Sequence, residues 1–557
     1  MEKRWLAHYP PQIPHHLDYP PKLLSDYLKE TAEEFGQKVA IDFLGKRLTF
    51  ADVYTQALKM ANCLIELGLQ KGDRVSIMLP NCPQAVISYY GVLLAGGIVV
   101  QTNPLYMERE LEYQLNDSGA SIIITLDMFY SKVMKVKATT PLKHIIVTSI
   151  QDYLPFLKKL LYPLVQKKHN QPLVRIEQQN GQHLWKNIIA SAKSDEVKAK
   201  VDPIEDVALL QYTGGTTGFP KAAMLTHHNL IANTLMCAHW MYRCKKGEEA
   251  ILGVLPFFHV YGMTTIMNLS VMQAYKMILL PKFDIEAVLK TIERKKPTLF
   301  PGAPTMYIAL LNHPNLSKYD LSSIKACISG SAPLPVEVQE KFETLTGGKL
   351  IEGYGLTEAS PVTHANFLWD GERLRGSIGV PWPDTEAKII SLETGEEAAI
   401  NEIGELVVRG PQVMKGYWNQ PFETESVLRD GWLYTGDMAY MDEKGYFFIV
   451  DRKKDMIIAS GYNIYPREVE EVLYEHPKVQ EAVIIGVPDE YRGETVKAFV
   501  VLKDGVQCTE EELDQFMRSR LAAYKVPRIY EFRKELPKTA VGKILRRVLV
   551  EEENKKM

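Results

Sequence analysis

Cysteine is scarce in this 557-residue chain. The six residues (Cys63, Cys82, Cys237, Cys244, Cys327 and Cys508) are scattered and never take CxxC spacing. That fits a reducing cytosol and no metal cluster. A charge excess of one sign is also missing: 65 Lys+Arg face 68 Asp+Glu, a net charge of -3. No overall basic field is left to hold nucleic acid. The opening MEKRWLAHYPPQIPHH has no apolar core of the signal-peptide kind, so secretion is not expected. The longest apolar run, Ala85 to Val100, falls short of the about 20 residues of a spanning helix. It also carries Gly96 and Gly97 near its end, so helix followed by strand is the better reading. No internal repeat or low-complexity tract is visible.

What is present is the composition of a globular protein, 46% hydrophobic and 24% charged, at a length that calls for several domains. After a Pro-rich arm, an amphipathic helix and a short strand near Ala40 to Phe43, short apolar runs alternate with helix-length connections. RVSIMLP, IVVQT and SIIIT read as strands; Pro83 opens a helix, and Glu108 to Asn116 forms another. This is the pattern of a parallel, doubly wound α/β sheet. Val207 to Thr213 (VALLQYT) reads as a buried strand, and Thr226 as the cap of a helix from His227. ILGVLPF, MILLP, PTLFPG and KACISG predict a second α/β lobe. From Lys349 to Val450 strands dominate, which predicts a small β-barrel or β-rich lobe. Asp152 to Asn170 (DYLPFLKKLLYPLVQKKHN) interleaves leucines and aromatics with Lys158, Lys159, Lys167 and Lys168. A basic amphipathic segment of this kind can lie on an anionic membrane, but it is more often a docked helix with solvated lysines.

The organising stretch is Asp430 to Glu471. It holds a Gly-bounded turn with an exposed acid (Tyr434-Thr435-Gly436-Asp437), a hairpin turning at Asp442 to Gly445, and five residues with four charges, Asp451 to Asp455. A buried strand that runs straight into such a charged joint marks a domain junction, which divides the chain into residues 1–451 and 452–557. The second part reads as a small α+β domain: a helix from Pro466 ended by Pro477, the strands AVIIGV and VKAFVVL, and a Thr509–Glu512 capping box.

Two loops carry phosphate chemistry in their residue types. YTGGTTGFPK offers Thr213, Gly214, Gly215, Thr216, Thr217, Gly218 and Lys221: flexible backbone, hydroxyls and one ammonium able to surround phosphate oxygens. It is not a Walker A loop, since GxxxxGK followed by Ser or Thr is absent. GYGLTE adds, between Gly353 and Gly355, the Tyr354 ring to stack on a base. Beyond them Thr357 can reach a phosphate, and Glu358 supplies a hard carboxylate for Mg²⁺.

These motifs, in this order from Tyr212 to Lys543, resemble those of the adenylate-forming superfamily of acyl-CoA synthetases, peptide-synthetase adenylation domains and luciferases. The stretch Asp430 to Glu471 resembles the signature region of fatty acyl-CoA synthetases, and the chain is similar end to end to bacterial long-chain fatty acid–CoA ligases. One departure is Ala222, where the family usually has glycine after the lysine. The resemblance implies a large domain of two α/β lobes and a β-barrel lobe, with a small C-terminal domain on a hinge at Lys454. It implies that Gly330, Ser331, Ala332 and Pro333 wall the adenine opposite Tyr354, and that Asp437 and Arg452 grip the ribose. It implies that His259, in PFFHVYG, gates the acyl carboxylate. Lys543 would be delivered by the small domain to the α-phosphate, and Ser460, Gly461 and Tyr462 would line a CoA tunnel after rotation. The implied reaction uses ATP, Mg²⁺ and coenzyme A: fatty acid is activated to acyl-AMP, then passed to CoA. A carrier-protein acceptor, or a lipid-uptake or scaffold protein without catalysis, are the alternatives. The expected partners are these small molecules, with a possible peripheral membrane contact in a cytoplasmic protein that is either monomer or homodimer.

Overall fold

The computed structural model describes residues 3–168, 181–213, 220–459, 462–489, 492–539 and 543–556, with backbone only at 163–168 and 462–463. Its first sheet runs in the order Gly416–Tyr417, Lys221–Thr226, Val207–Thr213, Ile98–Gln101, Arg74–Met78, Ile122–Leu126, His144–Thr148, Gln182–Leu184. From Val207–Thr213 onward the neighbours are parallel, and the other edge is antiparallel. The central strands are apolar throughout because helices cover both faces, as parallel sheets require. The helix Pro83–Leu94 starts on its proline and is buried along nearly its whole length, which accounts for the long apolar run.

The second sheet joins Lys46–Thr49, Val39–Phe43, Lys276–Leu279 and Ala250–Gly253 to Ala326–Ser329, Lys349–Gly355, Val362–Ala365 and Val380–Pro381. The link is Leu299, which bridges Ile251 on one side and Ala326 on the other. PTLFPG, expected as a strand, makes only such single bridges, because Pro297 and Pro301 cannot donate to a ladder. Lys349–Gly355, expected in the β-rich lobe, instead pairs in parallel with Ala326–Ser329 across the helix Val336–Thr346, a βαβ unit. The β-rich lobe itself is a five-stranded antiparallel sheet. Its order is Glu386–Ile390, Gly404–Arg409, Trp432–Met441, Leu428–Arg429, with Phe447–Arg452 also paired to Trp432–Met441.

One apolar core extends from Trp5 to Phe447, and a separate core begins at Ile457. The chain passes from one to the other through the charged turn after Arg452. The small domain lays Pro466–Tyr474 and Glu510–Arg518 against a sheet ordered Tyr462–Ile464, Ile457–Ala459, Gly493–Leu502, Val479–Asp489, with Ile529–Arg533 parallel to Gly493–Leu502. The expected Thr509–Glu512 capping box is half made. Thr509 Oγ1 accepts from Glu512 N at 3.2 Å, whereas the Glu512 carboxylate turns to Lys478.

Candidate active site

The strand Val207–Thr213 ends at the pocket with Thr213 opposite Lys221, the first residue of the returning strand. Gly214, Gly215, Thr216, Thr217 and Gly218 lie outside the described residues. Lys221 Nζ is ion-paired with Glu423 and stands 5.5 Å over the Tyr417 ring. Tyr417 Oη donates to Glu358 Oε1 at 2.7 Å, so one aromatic ring links the lysine to the carboxylate. Ala222 lies in regular strand register opposite Tyr212, and its methyl packs with Ile98, Val100, Leu210 and Tyr212. Its Cβ therefore serves the core rather than the loop.

GYGLTE begins at the end of the strand Lys349–Gly355. Gly355 is obligatory there, since a Cβ would stand 2.1 Å from Pro361 O; at Gly353 it would meet Ile328 Cγ2 at 2.8 Å. Tyr354 Oη donates to Asp437 Oδ2 at 2.5 Å, and Arg452 Nε lies 3.0 Å from Asp437 Oδ1. Asp437 and Arg452 are direct cross-strand partners in the hairpin, which explains their pairing. Asp437, expected as an exposed acid, is instead only 4% exposed, because Tyr354 and Arg452 close over it from both sides. Thr357 opens the single turn Thr357–Ala359 that sets Glu358 toward Tyr417. Opposite, Gly330 donates to Gly302 O at 3.1 Å, and a Cβ on it would press the Tyr261 ring at 3.1 Å. Ser331 takes a left-handed φ of 71° as the chain turns into Ala332 and Pro333. Leu334 N then donates to Glu352 Oε2 at 3.2 Å, which anchors this wall.

His259 caps the short helix Val260–Gly262, which continues as a π-helix over Met263–Asn268, a form often found at functional sites. Its Nδ1 accepts from Tyr261 N at 3.3 Å, which leaves the proton on Nε2. Burial first, and then the Lys543 charge, hold the imidazole down to about 4, so it is neutral at physiological pH. Asn81 sets this loop: it accepts from Phe257 N at 2.8 Å and donates to Leu255 O at 2.7 Å and Gly253 O at 3.2 Å.

From the small domain, Lys543 comes within electrostatic reach of Arg452, Asp437, Asp455, Lys454 and His259. The Arg452 guanidinium first, then crowding by protein atoms, holds its ammonium down to about 8 although the residue is exposed to solvent. Thr539 N donates to Lys543 O at 2.8 Å, and Lys543 N donates to Thr539 Oγ1 at 3.1 Å. Lys454 is exposed on the interdomain turn, its ammonium lowered by burial and then by Arg452. Ser460 and Gly461 lie outside the described residues; Tyr462 starts a strand paired with Ala459.

Four residues here are absent from the sequence expectations, Tyr417, Asn81, Glu352 and Arg546, and Asp451 is expected only as part of the charged joint. Arg546 bridges Asp451 (3.5 Å), Asp455 (3.1 Å) and Glu470 (2.5 Å) across the joint. Asp451, pushed up to about 6 by burial against the pull of Arg546, is the last acid of the large domain. Asn81 had a signal, a lone polar residue between Pro80 and Pro83 at the end of an apolar strand. The others gain meaning only from partners far off in sequence.

Together these groups can grip a vicinal diol through Asp437, flank a planar base with Tyr354, and surround an anion with Lys221, Arg452 and Lys543. Residues 28–418 match the AMP-binding enzyme family, and residues 468–543 match its C-terminal domain. A long-chain fatty acid–CoA ligase of Bacillus subtilis is 63% identical over 99% of this chain and 98% of its own. One from Escherichia coli O157:H7 is 41% identical over 99% and 98%. Among solved structures, an anthranilate CoA ligase with anthranoyl-AMP superposes at TM-score 0.87, with 28% identity over 97% of this chain and 98% of that one. ATP-bound MatB of Rhodopseudomonas palustris gives 0.84, with 30% identity over 95% and 98%. With its pocket built from both domains and its whole length matched, the chain belongs to the AMP-binding enzyme family of adenylate-forming ligases.

Proposed function

We propose that this chain is an AMP-forming long-chain fatty acid–CoA ligase, a reading carried by its 63% identity over 99% of its length to a ligase of that name. The fatty carboxylate attacks the ATP α-phosphorus; the P–O bond to pyrophosphate breaks, leaving acyl-AMP. The sulfur of CoA then attacks the acyl carbon, the bond to AMP breaks, and the thiol proton passes to solvent. No protein nucleophile is needed. The chain aligns charges and keeps water from the mixed anhydride.

In this reading Lys543 and Lys221 neutralise phosphate oxygens, neutral His259 orients the carboxylate, and Asp437 with Arg452 holds the ribose. Gly330 to Pro333 and Tyr354 flank the base, and Thr213 to Gly218 with Thr357 hold the phosphates. Glu358 suits Mg²⁺, being a carboxylate oriented by one tyrosine, and such ions take one or two protein carboxylates with substrate phosphates. When bound, Mg²⁺ neutralises charge on the phosphates. Residues 452–557 turn about Lys454 between the two half-reactions, and Ser460, Gly461 and Tyr462 then face the pantetheine arm. The separate cores support that motion. Pyrophosphate release measured with carboxylates of increasing length, and AMP release with and without CoA, test the assignment. Release that needs a carrier protein, or none at all, would overturn it.

Among the described residues no helix is long and apolar enough to cross a membrane. On the helix Phe156–Lys168, however, Phe156, Leu157, Leu160 and Leu161 are 58–74% exposed beside the exposed Lys158 and Lys159. We infer that a cytoplasmic enzyme rests this face on an anionic bilayer, the source of its apolar substrate. Each lysine contributes about 1 kcal/mol near such a surface, so salt should release it. Co-sedimentation with anionic liposomes should fall several-fold when Leu157 and Leu160 become serine. Unchanged binding would mark the face as ordinary surface.

A further inference from the structure

On the small domain, three ligand-type side chains converge away from the nucleotide pocket, and the activation chemistry uses none of them. His476 follows the helix Pro466–Tyr474 and is only 4% exposed. Cys508 precedes the helix Glu510–Arg518, and Glu512 lies in its first turn. One ligand atom from each of the three lies within 4.8 Å of the other two. His476 Nε2 and Glu512 Oε1 are 3.6 Å apart, too long for a hydrogen bond. That spacing is close to the ~3.4 Å edge of a tetrahedron whose metal bonds are ~2.0–2.1 Å. Phe516 meets the imidazole edge-on at 4.7 Å and holds its plane, with Arg520 stacked at 3.7 Å on the Phe516 ring. The Glu512 carboxylate has left the cap position that its place in the helix offers, and faces this cluster.

We propose that His476, Cys508 and Glu512 form a site for a borderline divalent metal ion of the Zn²⁺ class, with water as fourth ligand. Imidazole nitrogen, thiolate sulfur and carboxylate oxygen together suit Zn²⁺; Mg²⁺ and Ca²⁺ take oxygen ligands. On binding, the Cys508 thiol gives its proton to solvent and the Sγ–metal bond forms. The imidazole proton moves from Nε2 to Nδ1, which gives up its long 3.4 Å contact with Lys478 N. The Lys478 ammonium, 2.7 Å from Glu512 Oε1 and 2.8 Å from Oε2, leaves for water. The ion then staples the end of one small-domain helix to the start of another.

The test uses the full chain stripped with chelator and titrated with Co²⁺. One equivalent should produce a sulfur-to-cobalt charge-transfer band in the near ultraviolet, displaced by one equivalent of Zn²⁺, and should raise the melting temperature. Cys508→Ser should abolish the band, and His476→Gln should weaken Zn²⁺ binding by at least the ~10–100-fold that loss of an outer-shell partner alone costs a metal site. Lys478→Met alters no ligand and removes the competing ammonium. It should tighten binding by about two- to fivefold, what an exposed ion pair is worth. The proposal fails if folded wild type shows no band at saturating Co²⁺, if the band survives Cys508→Ser, or if Lys478→Met weakens binding.

Discussion

On the large-domain side of the pocket, Asn81, Tyr261, Tyr354 and Asp437 are each fixed by bonds within the fold. On the small-domain side, Lys543 stands exposed, its backbone bonded to Thr539. Three residues on, Arg546 ties Asp451 of one domain to Asp455 and Glu470 beyond the joint. A second link, Arg467 to Glu352 at 3.9 Å, crosses between the domains at a buried position. One side is fixed within its own core; the other belongs to a separate core. The proposed two-step reaction would use that asymmetry: groups common to both steps could stay rigid, and a group used in one would have to leave.

The largest expected effect breaks the delivered side. Lys543→Ala should cut acyl-AMP formation by on the order of 10²–10³, as loss of a preorganised charge contact does. Conversion of supplied acyl-AMP and CoA to thioester should stay near wild type. With the ammonium lowered to about 8 by Arg452, adenylation should also decline as pH rises past that value, while the thioester step should not follow the same curve. Single-turnover assays of each half-reaction decide it, and an equal loss of both in a folded variant would remove the delivered-lysine reading.

The preorganised side should break differently. Asn81→Ala leaves the N–H of Phe257 and the Leu255 carbonyl without their partner at a buried position, while Gly253 O keeps its bond from Leu280 N. Each stranded group costs about 1–3 kcal/mol, so for the two a destabilisation of about 2–6 kcal/mol is expected, read as a lower denaturant midpoint. Both half-reactions should suffer together, because the loop that carries His259 loosens whichever way the small domain faces.

This contrast also explains what could be read in the sequence. Val207–Thr213, the Thr226 cap and the Asp437 hairpin follow from periodicity and turn chemistry within a few residues. PTLFPG looked like a strand because its apolar run is local evidence, whereas the loss of ladder donors at Pro297 and Pro301 shows only against neighbours. The capping pattern at Thr509 was read correctly for one bond, and Lys478, distant in sequence, claimed the carboxylate for the other. Tyr417 has no local signature at all. Its role exists only where three separate segments bring Lys221, Glu358 and Glu423 around it.

A pH experiment sharpens the comparison at the interdomain contact. Burial pushes the Glu352 carboxyl up to about 7, outweighing the pull of Arg467, which at 3.9 Å does not recover what desolvation removes. Because the folded value is raised, the stability this group contributes is complete below the ordinary carboxylate pKa. It is lost as pH climbs from about 4.5 through about 7, at up to about 1.4 kcal/mol per unit. Glu352→Gln should flatten that part of the stability profile relative to wild type. Parallel profiles for the two proteins across the window would show that the carboxyl titrates normally.

The smallest effect belongs to Tyr417→Phe, and it tests whether a preorganised wall can be loosened one bond at a time. The ring remains, so the 5.5 Å contact with Lys221 is retained, and only the hydroxyl that orients Glu358 is lost. A hydrogen bond to a charged group contributes about 1.5–3 kcal/mol when buried, and less here because Glu358 is part-exposed. The expected result is an increase of about three- to tenfold in the Mg²⁺ needed for half-maximal pyrophosphate release. Fatty acid affinity and melting temperature should barely change. If the Mg²⁺ requirement is unaltered while kcat falls, Tyr417 acts on Lys221 instead, and Glu358 is positioned by its own turn, Thr357–Ala359.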